Sequence, residues 1–295
     1  MGIDRAEDGD APEGEPALPD RYDPEPLHDP VERVAEHARY RASVENYGTA
    51  KDAWVQALPS LHAAWERHVE KYPERERATP QNNPDGSWEA GENRKLNPEQ
   101  NAEASKACED IRAEGTEVVL PAVKRIEAAD QDRQLAGLEH MLKGEDRLKE
   151  KIADYMRAPG VSVREALEMV PDAVRYTLRY PMERYADGVR ADVDRCKAEG
   201  FELVKLKNLW PQDQYKGINS QWCRPETGLR FEIQFHTPES LEAKELTHKA
   251  YERIRGSASP AERRELEAFQ SQVNAVIVTP PGAAGIEDFP EKNDD

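Results

Sequence analysis

The chain has 295 residues, 37% of them hydrophobic and 34% charged, with a formal net charge of −18. That length accommodates one large domain or two ordinary ones, and the low apolar share leaves part of the chain without a core to join. The acidity argues against a general binder of nucleic acid or anionic membrane, and the scattered Cys108, Cys196 and Cys223 against a disulfide framework or zinc site.

Residues 1–27 are rich in Asp, Glu, Pro and Gly and read as a disordered acidic leader. Residues 28–130 read as a helical N-terminal region. Val34, Trp54, Leu58, Leu61 and Trp65 fall at helical spacings up to about residue 71, and a second helical stretch spans about 98–129. Pro121 is expected to end or kink that stretch. Between the two, residues 73–98 carry Pro80, Pro84, Gly86 and Gly91 and read as a loop. Trp54 and Trp65 are expected as core anchors. The helices offer a surface for self-association or for an antitoxin-like inhibitor. The N-terminus lacks a basic segment followed by an apolar run, and no window approaches ~18 consecutive apolar residues, so a soluble, cytoplasmic protein is expected.

Residues 131–275 alternate between helical and strand patterns, which predicts an α/β (α+β) fold with a mixed β-sheet flanked by helices. Helices are predicted over 134–155, 163–170 and 182–199, the last stopped by Gly200. Strands are predicted over 172–180, 201–207, 217–223 and 229–236. A helix with Thr237 as its N-cap follows over Pro238–Arg255, then one over Pro260–Asn274. Residues 276–295 read as a disordered, acidic Pro/Gly-rich tail. From Leu138 to Arg255 there are 21 Lys+Arg against 21 Asp+Glu, so the acid excess lies elsewhere and a polyanionic substrate is compatible with this half.

Three features of this half carry chemistry. On the 229–236 strand, Phe231, Ile233 and Phe235 share one face while Glu232, Gln234 and His236 share the other, which either looks into water or lines a site. Asp172 opens an earlier strand, where it either punctuates the chain or, with a Glu from a neighbouring strand, holds Mg²⁺ for nucleoside triphosphate chemistry. Lys143, Arg147 and Lys151 stack four apart on the helix predicted over 134–155, as a solvated stripe or as ligands for a triphosphate.

The order of these features resembles the synthetase domain of the RelA/SpoT family. Residues 142–152 look like its basic ATP-binding segment, and 172–175 like its Asp-x-x-Arg strand. Residues 215–220 look like its acceptor stretch, and 232–237 like its glutamate strand. Residues 243–252, with His248 and Tyr251, resemble the helix that follows. The likeness covers about 138–255. It departs from the family pattern at Met141, Arg147, Asn219 and His236, where Arg, Ser, His and Arg or Lys are usual. The hydrolase half and the long regulatory region of larger members have no counterpart.

The resemblance implies a small synthetase-only protein with a nucleotidyltransferase-like core, moving pyrophosphate from ATP to the ribose 3′-hydroxyl of a purine nucleotide. It implies Asp172 and Glu232 as catalytic carboxylates that bind Mg²⁺. Lys143, Arg147, Lys151 and Arg175 would hold ATP, and Tyr215, Lys216, Asn219, Gln234 and His248 would form the acceptor side. Two alternatives stand beside it: a toxin that pyrophosphorylates the 3′ end of tRNA, and a catalytically silent protein of the same fold. A tRNA-acting toxin would need a basic surface leading into the site.

Overall fold

The structure, a computed structural model, describes residues 49–73, 78–91, 93–256 and 258–290. The acidic leader and the beginning of the first predicted helix lie outside the described residues. Helix α1 (Ala50–Lys71) is N-capped by Thr49 and buries Trp54 and Leu61, while Trp65 stacks on His68. The stretch expected as a loop holds instead a small antiparallel sheet of β1 (Gln81–Asn82), β2 (Trp88–Ala90) and β3 (Arg94–Leu96). Strands of two and three residues are too short to show an alternation in sequence. Trp88 and Leu96, both fully buried, anchor this sheet.

Helix α2 (Pro98–Glu114) opens on a capping box between Asn97 and Gln100, with Pro98 in its first turn. The break expected at Pro121 takes the form of a π-helical turn over Gly115–Val119, after which α3 (Leu120–Ala128) continues. The wider turn resets the hydrogen-bond ladder, so Pro121 occupies a first turn, where its missing N–H costs little.

The helix expected over 134–155 begins only at residue 145. Gln134–Ala136 is a strand, β4, followed by a 3₁₀ turn over Leu138–His140 and then α4 (Glu145–Tyr155). Gly137, at φ 63°, and Gly144, the N-cap, punctuate a run whose apolar spacing alone looked helical. Lys143 therefore belongs to an extended segment, its N–H donating to the Ala173 carbonyl at 3.0 Å, and is not part of a helical stripe.

After α5 (Val163–Glu168) come β5 (Arg175–Arg179), α6 (Tyr185–Ala198), β6 (Glu202–Asn208), β7 (Ile218–Cys223), β8 (Arg230–His236), α7 (Pro238–Arg255) and α8 (Pro260–Asn274). The fold is mixed α/β, as expected. Its five-stranded sheet runs β4-β5-β8-β7-β6, antiparallel except for the parallel pair β5–β8, which sets Arg175 beside Glu232. Thr237 caps α7 through a box with Ser240.

Alternation divides this sheet into two unlike faces. Tyr176, Leu178, Ile218, Trp222, Phe231, Ile233 and Phe235 are at most 1% exposed and join one core with α3 and α6 residues. Each such side chain contributes about 1.5–3 kcal/mol of burial. The opposite face carries Arg175, Glu232, Gln234, Asn219 and His236.

Residues 276–290, expected to be disordered, pack on the domain instead. Ile277, Ala283 and Ile286 are buried, and Phe289 exchanges backbone hydrogen bonds of 2.8 and 2.9 Å with Leu206. This strap covers the edge of β6 and supplies pairing that an edge strand otherwise lacks. Among the described residues, no helix is long and apolar enough to cross a membrane.

Candidate functional site

The polar face of the sheet is not a solvated surface. Gln234 is 5% exposed and His236 0%, with Glu232 only partly accessible beside them. Asp172, just before β5, receives Lys151 Nζ at 2.5 Å on Oδ1 and Lys143 Nζ at 3.1 Å on Oδ2. Arg175 spans the two carboxylates, 3.4 Å from Asp172 and 3.1 Å from Glu232. The extended segment at Lys143, α4 and β5 thus deliver three cations to one carboxylate in the loop before β5.

The two acids titrate in opposite senses. Burial works against the charged form of Asp172, but the Lys143 and Lys151 ammoniums outweigh it and hold the carboxyl at about 2. For Glu232 burial wins over the Arg175 guanidinium, and the neighbouring Asp172 charge adds to the upward shift. A carboxyl held ionised next to one pushed toward neutrality is a pair suited to separate tasks. Burial also takes Lys143 below the usual lysine range despite its partner.

Gln234 donates through Nε2 to Glu232 at 2.5 Å, while its own Oε1, buried, meets no hydrogen-bond partner. A buried orphan acceptor is costly, and here it lies beside the raised glutamate. Among the described residues no three His, Cys, Asp or Glu side chains come together for a metal. Two carboxylates with hard oxygens fit an ion that takes its remaining ligands from phosphate and water, as Mg²⁺ does.

The acceptor-side residues divide. Tyr215 Oη donates to Asn219 Oδ1 at 2.9 Å and meets His236 Nε2 at 3.0 Å, so Asn219 holds Tyr215 in place. His236 completes the chain with Nδ1 at 2.8 Å from Ser240 Oγ; burial drives its pKa far down and keeps it neutral. Gly217 makes this packing attainable: at φ 149°, a Cβ there would come within 2.7 Å of the His236 ring. Lys216 donates to the Trp210 carbonyl at 2.8 Å. His248 is exposed on α7, 3.8 Å from Glu252. Glu252 also lies 3.6 Å from Arg147, a bridge between α4 and α7.

Lys244 is the residue that sequence reasoning missed. It lies one turn before His248 on α7, and that i,i+4 spacing was the available signal. Burial first, and the Arg175 charge second, lower its pKa to about 8 against the pull of Glu232.

Two acidic side chains, one on β8 and one just before β5, thus stand among Lys and Arg on a largely buried sheet face. No protein-family model matches the chain, and no curated protein does. Among solved structures, a GTP pyrophosphokinase family protein from Streptococcus pneumoniae aligns at 12% identity, covering 59% of this chain and 85% of its own, with a TM-score of 0.37. The small alarmone synthetase 1 from Bacillus subtilis aligns at 13% identity, covering 59% and 88%, at 0.37. That synthetase bound to its product pppGpp aligns at 11% identity, covering 54% and 83%, at 0.36. The case for a chemistry rests on the side chains themselves.

Proposed function

We propose that this chain transfers pyrophosphate from ATP to the ribose 3′-hydroxyl of a purine nucleotide. One observation carries the reading: Asp172 and Glu232, placed by the adjacent parallel strands β5 and β8, share Arg175 and sit among Lys143 and Lys151 on a buried polar face. Phosphoryl-type transfer asks a protein for alignment and charge neutralisation more than for covalent help, and this cluster offers both.

Lys143, Lys151 and Arg175 exchange Asp172 for the ATP phosphates. Glu232 accepts the proton of the 3′-hydroxyl as the 3′-oxygen bonds to the β-phosphorus. The bond from the β-phosphorus to the α,β-bridging oxygen breaks, and AMP leaves with that oxygen. Mg²⁺, held by Asp172 and Glu232 oxygens, would neutralise phosphate charge in the reacting nucleotide. Tyr215, fixed through its hydroxyl by Asn219 and His236, stacks on the acceptor base.

The test is incubation of the protein with γ-³²P-ATP and Mg²⁺, separately with AMP, ADP, GDP, GTP and deacylated tRNA. A nucleotide carrying label at the 3′ position, absent with Glu232→Gln, is the expected result. Label on tRNA alone would move the acceptor to RNA. No labelled product with any acceptor would overturn the reading.

A further inference from the structure

The cations of the site are not equivalent. Lys143 and Lys151 each contact Asp172, Arg175 contacts both carboxylates, and Arg147 contacts Glu150 and Glu252. The Lys244 ammonium, half-buried on α7, makes no hydrogen bond and no ion pair among the described residues. Four cations (Lys143, Lys151, Arg175, Lys244) stand around two carboxylates, which leaves two positive charges over. An ammonium withdrawn from water without a partner is destabilising, so its retention points to an anion that arrives with a ligand.

Position decides which ligand. Ser240, one turn before Lys244, holds His236, and His236 meets the Tyr215 hydroxyl. Lys244 shares its surroundings with Glu232, Arg175 and His236. It therefore lies on the Tyr215 side of Glu232, whereas Lys143 and Lys151 gather at Asp172. Gln234, on the same face of β8 as Glu232 and His236, keeps a buried Oε1 without a hydrogen-bond partner.

Resting on the pyrophosphate-transfer reading, we propose that Lys244 binds a phosphate of the acceptor nucleotide and so selects a 5′-phosphorylated nucleotide over a nucleoside. Asp172 and its lysines then serve the donor, and α7 serves the acceptor. An acceptor without phosphates forgoes this contact, while ATP does not use it.

The experiment is steady-state kinetics with ATP and either GDP or ADP, or guanosine or adenosine, as acceptor, for wild type, Lys244→Met and Lys244→Arg. Lys244→Met is expected to raise the KM for the diphosphate about 10- to 100-fold, to leave the KM for ATP within about twofold, and to spare use of the nucleoside. Lys244→Arg should recover most of the loss, which a merely structural role would not allow. Equal loss with diphosphate and nucleoside, or an unchanged KM for the diphosphate, would overturn the assignment. Calorimetric binding of GDP and ADP to the same proteins separates the two ideas. Weakened binding in Lys244→Met, with no transfer by wild type to any acceptor, would sink pyrophosphate transfer and keep the phosphate site.

Discussion

Among the described residues, the buried charges around Asp192 and those around Asp172 and Glu232 differ in how completely they are partnered. Around Asp192 on α6, every oxygen is used: Tyr180 Oη donates at 2.6 Å, Arg195 Nη1 at 2.6 Å, and Arg133 Nε lies 2.7 Å away. Arg133, 1% exposed, also donates to the Ile126 carbonyl and pairs with Asp130. Around Asp172 and Glu232 the hydrogen bonding is incomplete, with Gln234 Oε1 unpartnered and Lys244 unpaired. Both clusters hold acids, arginines and a nearby tyrosine, so composition does not separate them. What separates them is the acid itself: both oxygens of Asp192 take a donor, and although Arg133 Nε lacks hydrogen-bond geometry it stays paired at 2.7 Å, whereas the Gln234 acceptor and the Lys244 ammonium have no partner among the described residues.

The largest effect expected on either side tests that division. Glu232→Gln should lower transfer by about 10³- to 10⁴-fold, with the far-ultraviolet circular dichroism kept and stability at neutral pH not reduced, because it removes a proton acceptor and a charge that burial disfavours. Asp192→Ala should do the opposite, costing about 3–4 kcal/mol in urea unfolding by stranding Arg133, while the folded fraction keeps its turnover. If Asp192→Ala lost turnover without losing stability, the two clusters would not be distinguishable by closure.

The next effect in size belongs to Gly217. Its Cβ-free backbone lets the Tyr215 segment cross over His236, at a φ that side chains avoid. Gly217→Ala should cost about 2 kcal/mol of stability through strain and the clash with the imidazole. The KM for the acceptor should rise more than that for ATP, since Tyr215 loses its anchor. Equal changes in both KM values would detach Tyr215 from the acceptor side.

The sequence made the open cluster easier to read than the closed one. Period two in β8 separates Phe231, Ile233 and Phe235 from Glu232, Gln234 and His236, and Thr237-Pro238 and Pro260 announce the starts of α7 and α8. Asp192 gave no such signal, since a charged residue on a helix looks solvated until Arg133, 59 positions away, is brought to it. The same blindness hid β1–β3, too short for a period, and the strap over 276–290, whose order comes from pairing with Leu206. It also placed Lys143 on a helix, because a turn at Gly137 and a cap at Gly144 leave the apolar spacing of the run intact. Short-range pattern reaches elements and their faces; closure of a buried charge is a long-range property.

The smallest expected effect is the most direct reading of the open cluster, because its two acids should bend the stability curve in opposite directions. Asp172 has a folded pKa of about 2, below the ordinary aspartate value of about 3.9. Its contribution is therefore present above about pH 4 and is lost as the pH falls from there toward 2. Glu232 has a folded pKa above the ordinary glutamate value of about 4.3. Its ionisation costs stability at neutral pH, and that cost is relieved as the pH falls through its folded pKa toward 4. Wild-type stability should thus rise modestly on mild acidification and then fall steeply below about pH 4. Urea unfolding from pH 3 to 7 should show Glu232→Gln without the rise and Asp172→Asn with a shallower fall. Parallel curves for all three proteins would mean that the carboxylates do not sense the burial and the lysines placed around them.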